Sequence, residues 1–268
     1  MADQMTIDFG KIHGTAIRGI NRAAVFLGLG VNAADQSASV DYHLTSDTNL
    51  RMLPDVDDEV LGEWKKEFRV WIVGCGFREM IDGICVYLDR LHVACRMIDR
   101  SSSEKILKEF EFFGLVEKLD SLEKVFGISC RFNEQLASFY PVRNCFVHRL
   151  GRVGDQDLRK ADQLKLRFMR YDSVFVTSSG EELRIPDIFD PNSPQFVTPE
   201  AGSLGIKWVE KSLSFSKGDW VVLSPKDLTE ILFFTSRCVM ELTKTTLRFA
   251  KARGVTFDAN AEQVAGAD

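Results

Sequence analysis

Phe139-Tyr140-Pro141-Val142-Arg143-Asn144-Cys145-Phe146-Val147-His148-Arg149-Leu150-Gly151 is the stretch whose reading decides the fold. With the residues before it, it sets Phe132, Leu136, Phe139, Val142 and Phe146 three and four apart, the period of a helix that buries one face. Gly151 follows the last periodic position and suits a helix C-terminus. Pro141 has no N–H, so it either opens the final helical segment or kinks a longer one. In both cases Arg143 and Asn144 are expected near exposed backbone N–H groups, where an anion is welcome. Asn144 and His148 are four apart and share a face. Arg143 and His148 are five apart and diverge by about 140° on an ideal helix. They are therefore expected to line two walls of one groove, most readily where a second copy of the helix completes it.

The residues Arg143-Asn144-x-x-x-His148 resemble the signature of the HEPN superfamily, in which an arginine, often with a polar residue just after it, precedes a histidine by a few positions. Arg149-Leu150-Gly151-Arg152-Val153 is similar to the turn after that helix in many members. The resemblance covers roughly residues 55–160 and the last helix. It implies an all-helical core that dimerises through the motif helix. It also implies, from its many nuclease members, a metal-independent endoribonuclease without a cofactor, with Arg143, Asn144 and His148 as the catalytic residues and RNA as the partner. The phage-defence and toxin–antitoxin settings of such proteins add an antitoxin or regulatory protein as an expected further partner. A non-catalytic module that binds RNA or a nucleotide, or only dimerises, is the competing reading.

The residue types suit that chemistry. Cleaving RNA without a metal requires activating the 2′-OH, protonating or positioning the leaving 5′-oxygen and stabilising charge on phosphorus. Histidine titrates near neutral pH and serves as acid or base. Arginine keeps its proton and offers a planar fork that matches phosphate oxygens. Asparagine can orient the imidazole or the phosphate. One protomer supplies one such histidine, and a symmetric dimer would supply two.

Charge is distributed unevenly. The chain carries −5 overall with a pI of about 5.5, so no general basic field points to nucleic acid. Residues 141–170, however, hold Arg143, Arg149, Arg152, Arg159, Lys160, Lys165, Arg167 and Arg170 against Asp155, Asp157 and Asp162. Within this basic stretch Arg149, Arg152, Lys165 and Arg167 are the expected contacts to RNA phosphates; a solvated face is the plainer alternative.

At 268 residues and 30.3 kDa the chain can bury a full core, and its 45% hydrophobic and 27% charged content is that of an ordinary soluble protein. The six cysteines include no CxxC pair, and reduced thiols in the cytoplasm are the simplest expectation. His92 with Cys95 and Cys145 with His148 would in principle make a four-ligand zinc site, but both pairs fall on apolar helical tracts where cysteine packs as a small hydrophobe. The run Ala23–Val31 is too short to span a bilayer. No phosphate-binding Lys-Ser or Lys-Thr loop, HExxH or GxSxG occurs. Gly28-Leu29-Gly30 with Ala33 lacks the strand before it and the helix after it that a dinucleotide site needs.

These readings give a mainly α protein, an antiparallel helical bundle with a small β-hairpin or sheet elaboration before the C-terminal helix. Residues 1–54 are expected to form an extension, with a helix near 11–29 and loop from Val31 to Pro54. Residues 55–254 form the helical domain, with the β elaboration at about 160–222. Residues 255–268 form a flexible tail. From Asp57 to Ile98 two apolar stripes, Val60-Trp64-Phe68-Trp71-Cys75 and Ile84-Leu88-Leu91-Cys95-Ile98, flank a break or kink expected at Gly74 and Gly76. Ser101-x-x-Glu104 reads as a capping box for the next helix, with Leu107 and Phe110 inside it. A short helix through Leu119, Leu122 and Phe126 stops at Gly127. Alternation at Leu164, Leu166 and Phe168 marks a strand, Ser178-Ser179-Gly180-Glu181 a hairpin turn, and Ile206–Val209 and Asp219–Leu223 further strands. Asp190–Pro194 and Thr198-Pro199 read as loop. Ser224-Pro225-x-Asp227 starts the last helix, which runs toward Gly254. His92 is expected to be a packed structural histidine, and His13 and His43 have no assigned role.

Overall fold

The computed structural model describes residues 7–35, 41–45, 47–51, 56–100, 109–158, 161–184 and 200–256. It is mainly helical, with a three-stranded antiparallel sheet inserted before the C-terminal helix. The helices are α1 (Phe9–Asp35), α2 (Asp58–Asp99), α3 (Leu115–Phe126), α4 (Asn133–Ala137), α5 (Phe139–Arg149) and α6 (Pro225–Ala252). The strands are β1 (Asp41–Thr45), β2 (Thr48–Arg51), β3 (Leu164–Thr177), β4 (Glu182–Arg184) and β5 (Gly202–Phe215). No helix among the described residues is long and apolar enough to cross a membrane.

The axis of the molecule is α2, 42 residues without interruption. Asp57 caps its start by accepting the N–H groups of Glu59 and Val60, and Arg100 ends it in the left-handed region at φ 54°. The break expected at Gly74 and Gly76 does not occur. These glycines instead let neighbours approach the helix. A Cβ on Gly74 would lie 2.9 Å from the Phe146 ring of α5, and one on Gly76 would lie 2.5 Å from Leu27 of α1. Gly19 and Gly83 meet backbone to backbone farther along the α1–α2 contact. The intrahelical hydrogen bonds survive the glycines because tertiary packing outweighs a propensity cost of about 1 kcal/mol each.

The core lies where α2, α5 and α6 meet. Phe77 of α2 packs on Phe139 and Phe146 of α5, and Phe139 in turn on Phe234 of α6. Tyr87 donates toward the Val239 carbonyl and shares a hydrogen bond with the Thr243 hydroxyl. That hydroxyl also meets Nδ1 of His13, which gives α1 a polar tie to α6 and His13 a partner the sequence did not suggest. His92 is buried and stacks on Phe110 at 3.9 Å with nearly parallel rings, as a packed histidine should.

β3 is the central strand, between β4 and β5. Leu164, Leu166 and Phe168 face the core, and the hairpin expected at Ser178–Glu181 joins β3 to β4. The last helix begins as its sequence indicates, with a reciprocal cap between Ser224 and Asp227 and Pro225 in the first turn.

Two further expectations fail. The stretch expected as loop from Val31 to Pro54 continues α1 to Asp35 and then holds the β1–β2 ladder. Asp219–Leu223 is not a strand but contributes one bridge, Arg152 to Trp220, because its backbone is taken up by the turn at Gly151–Val153. Pro141 is not the first residue of α5, which starts at Phe139, but it follows by three residues the one-residue interruption at Ser138 between α4 and α5. The capping box at Ser101–Glu104, Leu107, the loops at 190–194 and 198–199, and most of the tail lie outside the described residues.

Candidate functional site

The motif helix α5 is joined to α4 by Ser138 alone, itself helical at φ −63° and ψ −16°. α4 therefore occupies the helix N-terminus that was expected to stand open beside Arg143. The Ser138 hydroxyl lies within hydrogen-bonding distance of the Gln135 carbonyl and accepts the N–H of Arg167, which pins the helix start to β3. At the other end Leu150 and Gly151 both take positive φ, at 53° and 86°, and Gly151 returns its N–H to the Cys145 carbonyl. A Cβ on Gly151 would lie 2.8 Å from Val70, so glycine is required there for space as well as for φ.

A groove of about 750 Å³ runs between α5 and the start of β3. Tyr140, Pro141, Asn144 and His148 form its helical wall, and Gln163, Leu164 and Lys165 its strand wall. Arg149 and Asp157 line its end. Asn144 and His148 thus share a face, as their four-residue spacing requires. The His148 side chain is exposed, and no hydrogen bond from the described residues holds its ring. Both ring nitrogens are open to whatever enters the groove.

Arg143 does not line this groove. It turns toward α2, donating to Asp82 at 3.0 Å and to the Asn144 side-chain oxygen at 3.3 Å, while its Nε is buried without a hydrogen-bond partner. The angular divergence from His148 is therefore realised, but the two walls belong to opposite sides of one helix. Arg149 forms a two-pronged pair with Asp157, whose side chain is 2% exposed. Asp157 also accepts the Gly154 N–H at 2.9 Å, so it fixes the turn after the motif helix. Arg167 is bound by both oxygens of Glu210, which Gln135 also contacts.

Much of the basic excess of residues 141–170 is thus neutralised by acids from elsewhere in the fold. Asp82, Asp172 and Glu210 lie outside that stretch, and only tertiary structure brings Asp82 and Glu210 to it. Of the four expected RNA contacts, Arg149 and Arg167 are held in ion pairs, whereas Arg152 and Lys165 are exposed and stand in none among the described residues. Lys165 lies in the groove with His148, and Arg152 lies beyond it at the bridge to Trp220. Arg159 and Lys160 lie outside the described residues.

The zinc alternative finds no geometry. Cys95 and Cys145 are buried, and burial pushes both thiols up to about 12. Among the described residues no three His, Cys, Asp or Glu side chains come together to hold a metal ion.

Asp82 and Asp157 are the site residues that sequence reasoning missed. Asp82 lies 61 positions from its arginine and carries no local signal. Asp157 had one: it lies eight residues past Arg149, across the short turn that Gly151 and Gly154 make possible. Comparison of the chain with protein-family models, curated proteins and solved structures returns no match.

Proposed function

We propose that the chain is a metal-independent endoribonuclease of the HEPN type, acting as a homodimer. The observation that carries this reading is the groove itself. It holds an exposed, unrestrained histidine beside an asparagine on the same helical face, with Lys165 across from them. In the proposed reaction the RNA 2′-oxygen attacks phosphorus as a base removes its proton. The bond to the 5′-oxygen breaks, and an acid supplies the proton that oxygen needs, leaving a cyclic phosphate and a 5′-hydroxyl. His148 takes one proton role in each copy. Asn144 orients the imidazole or the phosphate, and Lys165 holds the RNA backbone. Arg143 faces away from its own groove, and its role is to reach phosphate across the dimer once Asp82 releases it.

The pairing of Arg143 with Asp82 favours a second reading, in which the arginine is structural and the groove binds RNA or a nucleotide without cutting it. Cleavage of a mixed RNA substrate in EDTA decides between them, using wild type, Arg143→Ala and His148→Ala with folding checked by circular dichroism. The expected result is cleavage by wild type and a loss of roughly a hundredfold or more in each folded variant. Equal cleavage by all three would make the motif structural. RNA binding without cleavage by wild type would establish the second reading.

A further inference from the structure

The groove beside the motif helix changes character along its length. Its two walls are pinned in register at both ends. The Ser138 hydroxyl accepts the Arg167 N–H at one end, and Arg149 pairs with Asp157, shortly before β3, at the other. From Tyr140 to His148 the helix climbs roughly 12 Å, and from Gln163 to Arg167 the strand covers roughly 13 Å. Tyr140 and Pro141 thus occupy the end toward Arg167, His148 the end toward Gln163, and Asn144 and Lys165 the middle. The middle and the His148 end are polar, with Lys165 in no ion pair among the described residues. The Tyr140 end offers instead an aromatic ring and the exposed Pro141, and the nearby Arg167 is already bound by Glu210.

Tyr140 shares a helical face with Asn144 and His148, four and eight residues on, yet the proposed chemistry leaves it unused. Its side chain is partly buried against the core and also lines the groove. The hydroxyl leans on Gly114, where a Cβ would come within 2.8 Å of the oxygen. Glycine therefore leaves the room that the phenol needs. The Gly114 N–H donates to the Glu117 carboxylate at 2.6 Å, which fixes the backbone against which the ring rests. The ring is held at its root by α5 and at its tip by the start of α3. A surface preset in this way loses little freedom when something stacks on it.

A ligand that fills this groove must present an anion to Lys165 and a flat, weakly polar face to Tyr140. Unpaired nucleotides carry both, and every base has a face that stacks on an aromatic ring. A duplex keeps those faces inside its own stack. We propose that Tyr140, flanked by Pro141, is a base-stacking platform that makes the groove selective for single-stranded RNA. The stacked base belongs to a nucleotide next to the one whose phosphate meets Lys165 and His148. The inference rests on the ribonuclease reading for the polymer that enters the groove, but binding alone tests it.

The probe is a short fluorescent single-stranded RNA carrying 2′-fluoro groups throughout, so that no 2′-oxygen can attack, and anisotropy reads its binding to the full chain. Tyr140→Leu keeps apolar bulk and removes the ring. It should raise the dissociation constant about tenfold with unchanged circular dichroism. Tyr140→Phe keeps the ring and should bind as wild type does. An abasic oligomer of the same length and charge should bind wild type and Tyr140→Leu equally weakly. Lys165→Ala should weaken both oligomers by one factor, because it meets the backbone. Annealing the probe to its complement should weaken binding and remove the effect of Tyr140→Leu. A loss in Tyr140→Leu that is as large for the abasic oligomer would make Tyr140 structural and overturn the proposal. Unchanged binding by Tyr140→Leu, or no binding by wild type, overturns it as well. Cleavage of the unmodified RNA separates the two ideas: RNA held through Tyr140 and left uncut would remove the ribonuclease reading and leave the platform standing.

Discussion

The two halves of α2 carry apolar stripes of the same period and put them to opposite uses. Ile84, Leu88, Leu91 and Cys95 in the second half are fully buried beneath the other helices. Trp64, Phe68 and Trp71 in the first half are left half exposed. Periodicity reports that one face of a helix is apolar and says nothing about what will cover it. The difference lies in composition. The buried half uses aliphatic side chains that interdigitate at high density. The uncovered half uses large aromatics flanked by lysine and arginine, the kind of residues that interfaces between chains favour or tolerate at their rims.

The largest expected effect tests that contrast directly. Leu88→Ala or Leu91→Ala should cost about 2–5 kcal/mol of unfolding free energy, from lost transfer energy and the cavity left behind. Phe68→Ala should cost well under about 1 kcal/mol, because its side chain is 44% exposed. Chemical denaturation monitored by circular dichroism reads both. Similar losses in the two halves would mean that the first stripe is covered within a single copy.

A somewhat smaller effect should appear as pH dependence confined to the buried half. Burial, then the positive charges of Arg96 and Lys118, hold the His92 imidazole down at about 4. The unfolded chain takes up this proton near pH 6.5, and the folded chain refuses it until about pH 4. The contribution to stability is therefore complete above the unfolded value and is lost as pH falls through that window, on the order of 3 kcal/mol at its lower end. His92→Gln should flatten this part of the profile. Denaturant midpoints at pH 7 and pH 4.5 for the two proteins give the comparison, and parallel slopes would show that His92 does not titrate in this way.

The same division explains how much could be read without coordinates. The helices expected near 11–29, through Leu119–Phe126 and from Ser224 toward Gly254, the strand alternation at Leu164–Phe168 and the Ser224–Asp227 cap follow from local chemistry, and the structure forms them. The Asn144–His148 face was readable because helical spacing fixes it within one element. The partners of Arg143 and Arg167 were not, because Asp82 and Glu210 arrive from distant segments. A charge excess summed along a stretch therefore overstated the field at the groove. The expected break at Gly74 and Gly76 failed for a related reason. Glycine weakens a helix locally, but here the absent Cβ is what lets Leu27 and Phe146 pack against it.

The glycines of α2 provide the smallest and most local version of the comparison. Gly76 lies in the covered part of the helix, and a Cβ there would come within 2.5 Å of the Leu27 side chain. Gly62 lies in the less covered first turns, with nothing within 4 Å of the same position. Alanine improves helix propensity by about 1 kcal/mol at either site. At Gly76 the forced separation of α1 from α2 should outweigh that gain, since overpacking costs about 1–3 kcal/mol. At Gly62 nothing opposes it. Gly76→Ala is therefore expected to lower the denaturation midpoint and Gly62→Ala to raise it slightly, by the equivalent of roughly 0.5–1 kcal/mol. A loss at Gly62 instead would place a close neighbour over the first turns of α2, and the stripe of Trp64, Phe68 and Trp71 would then be covered from within the same chain.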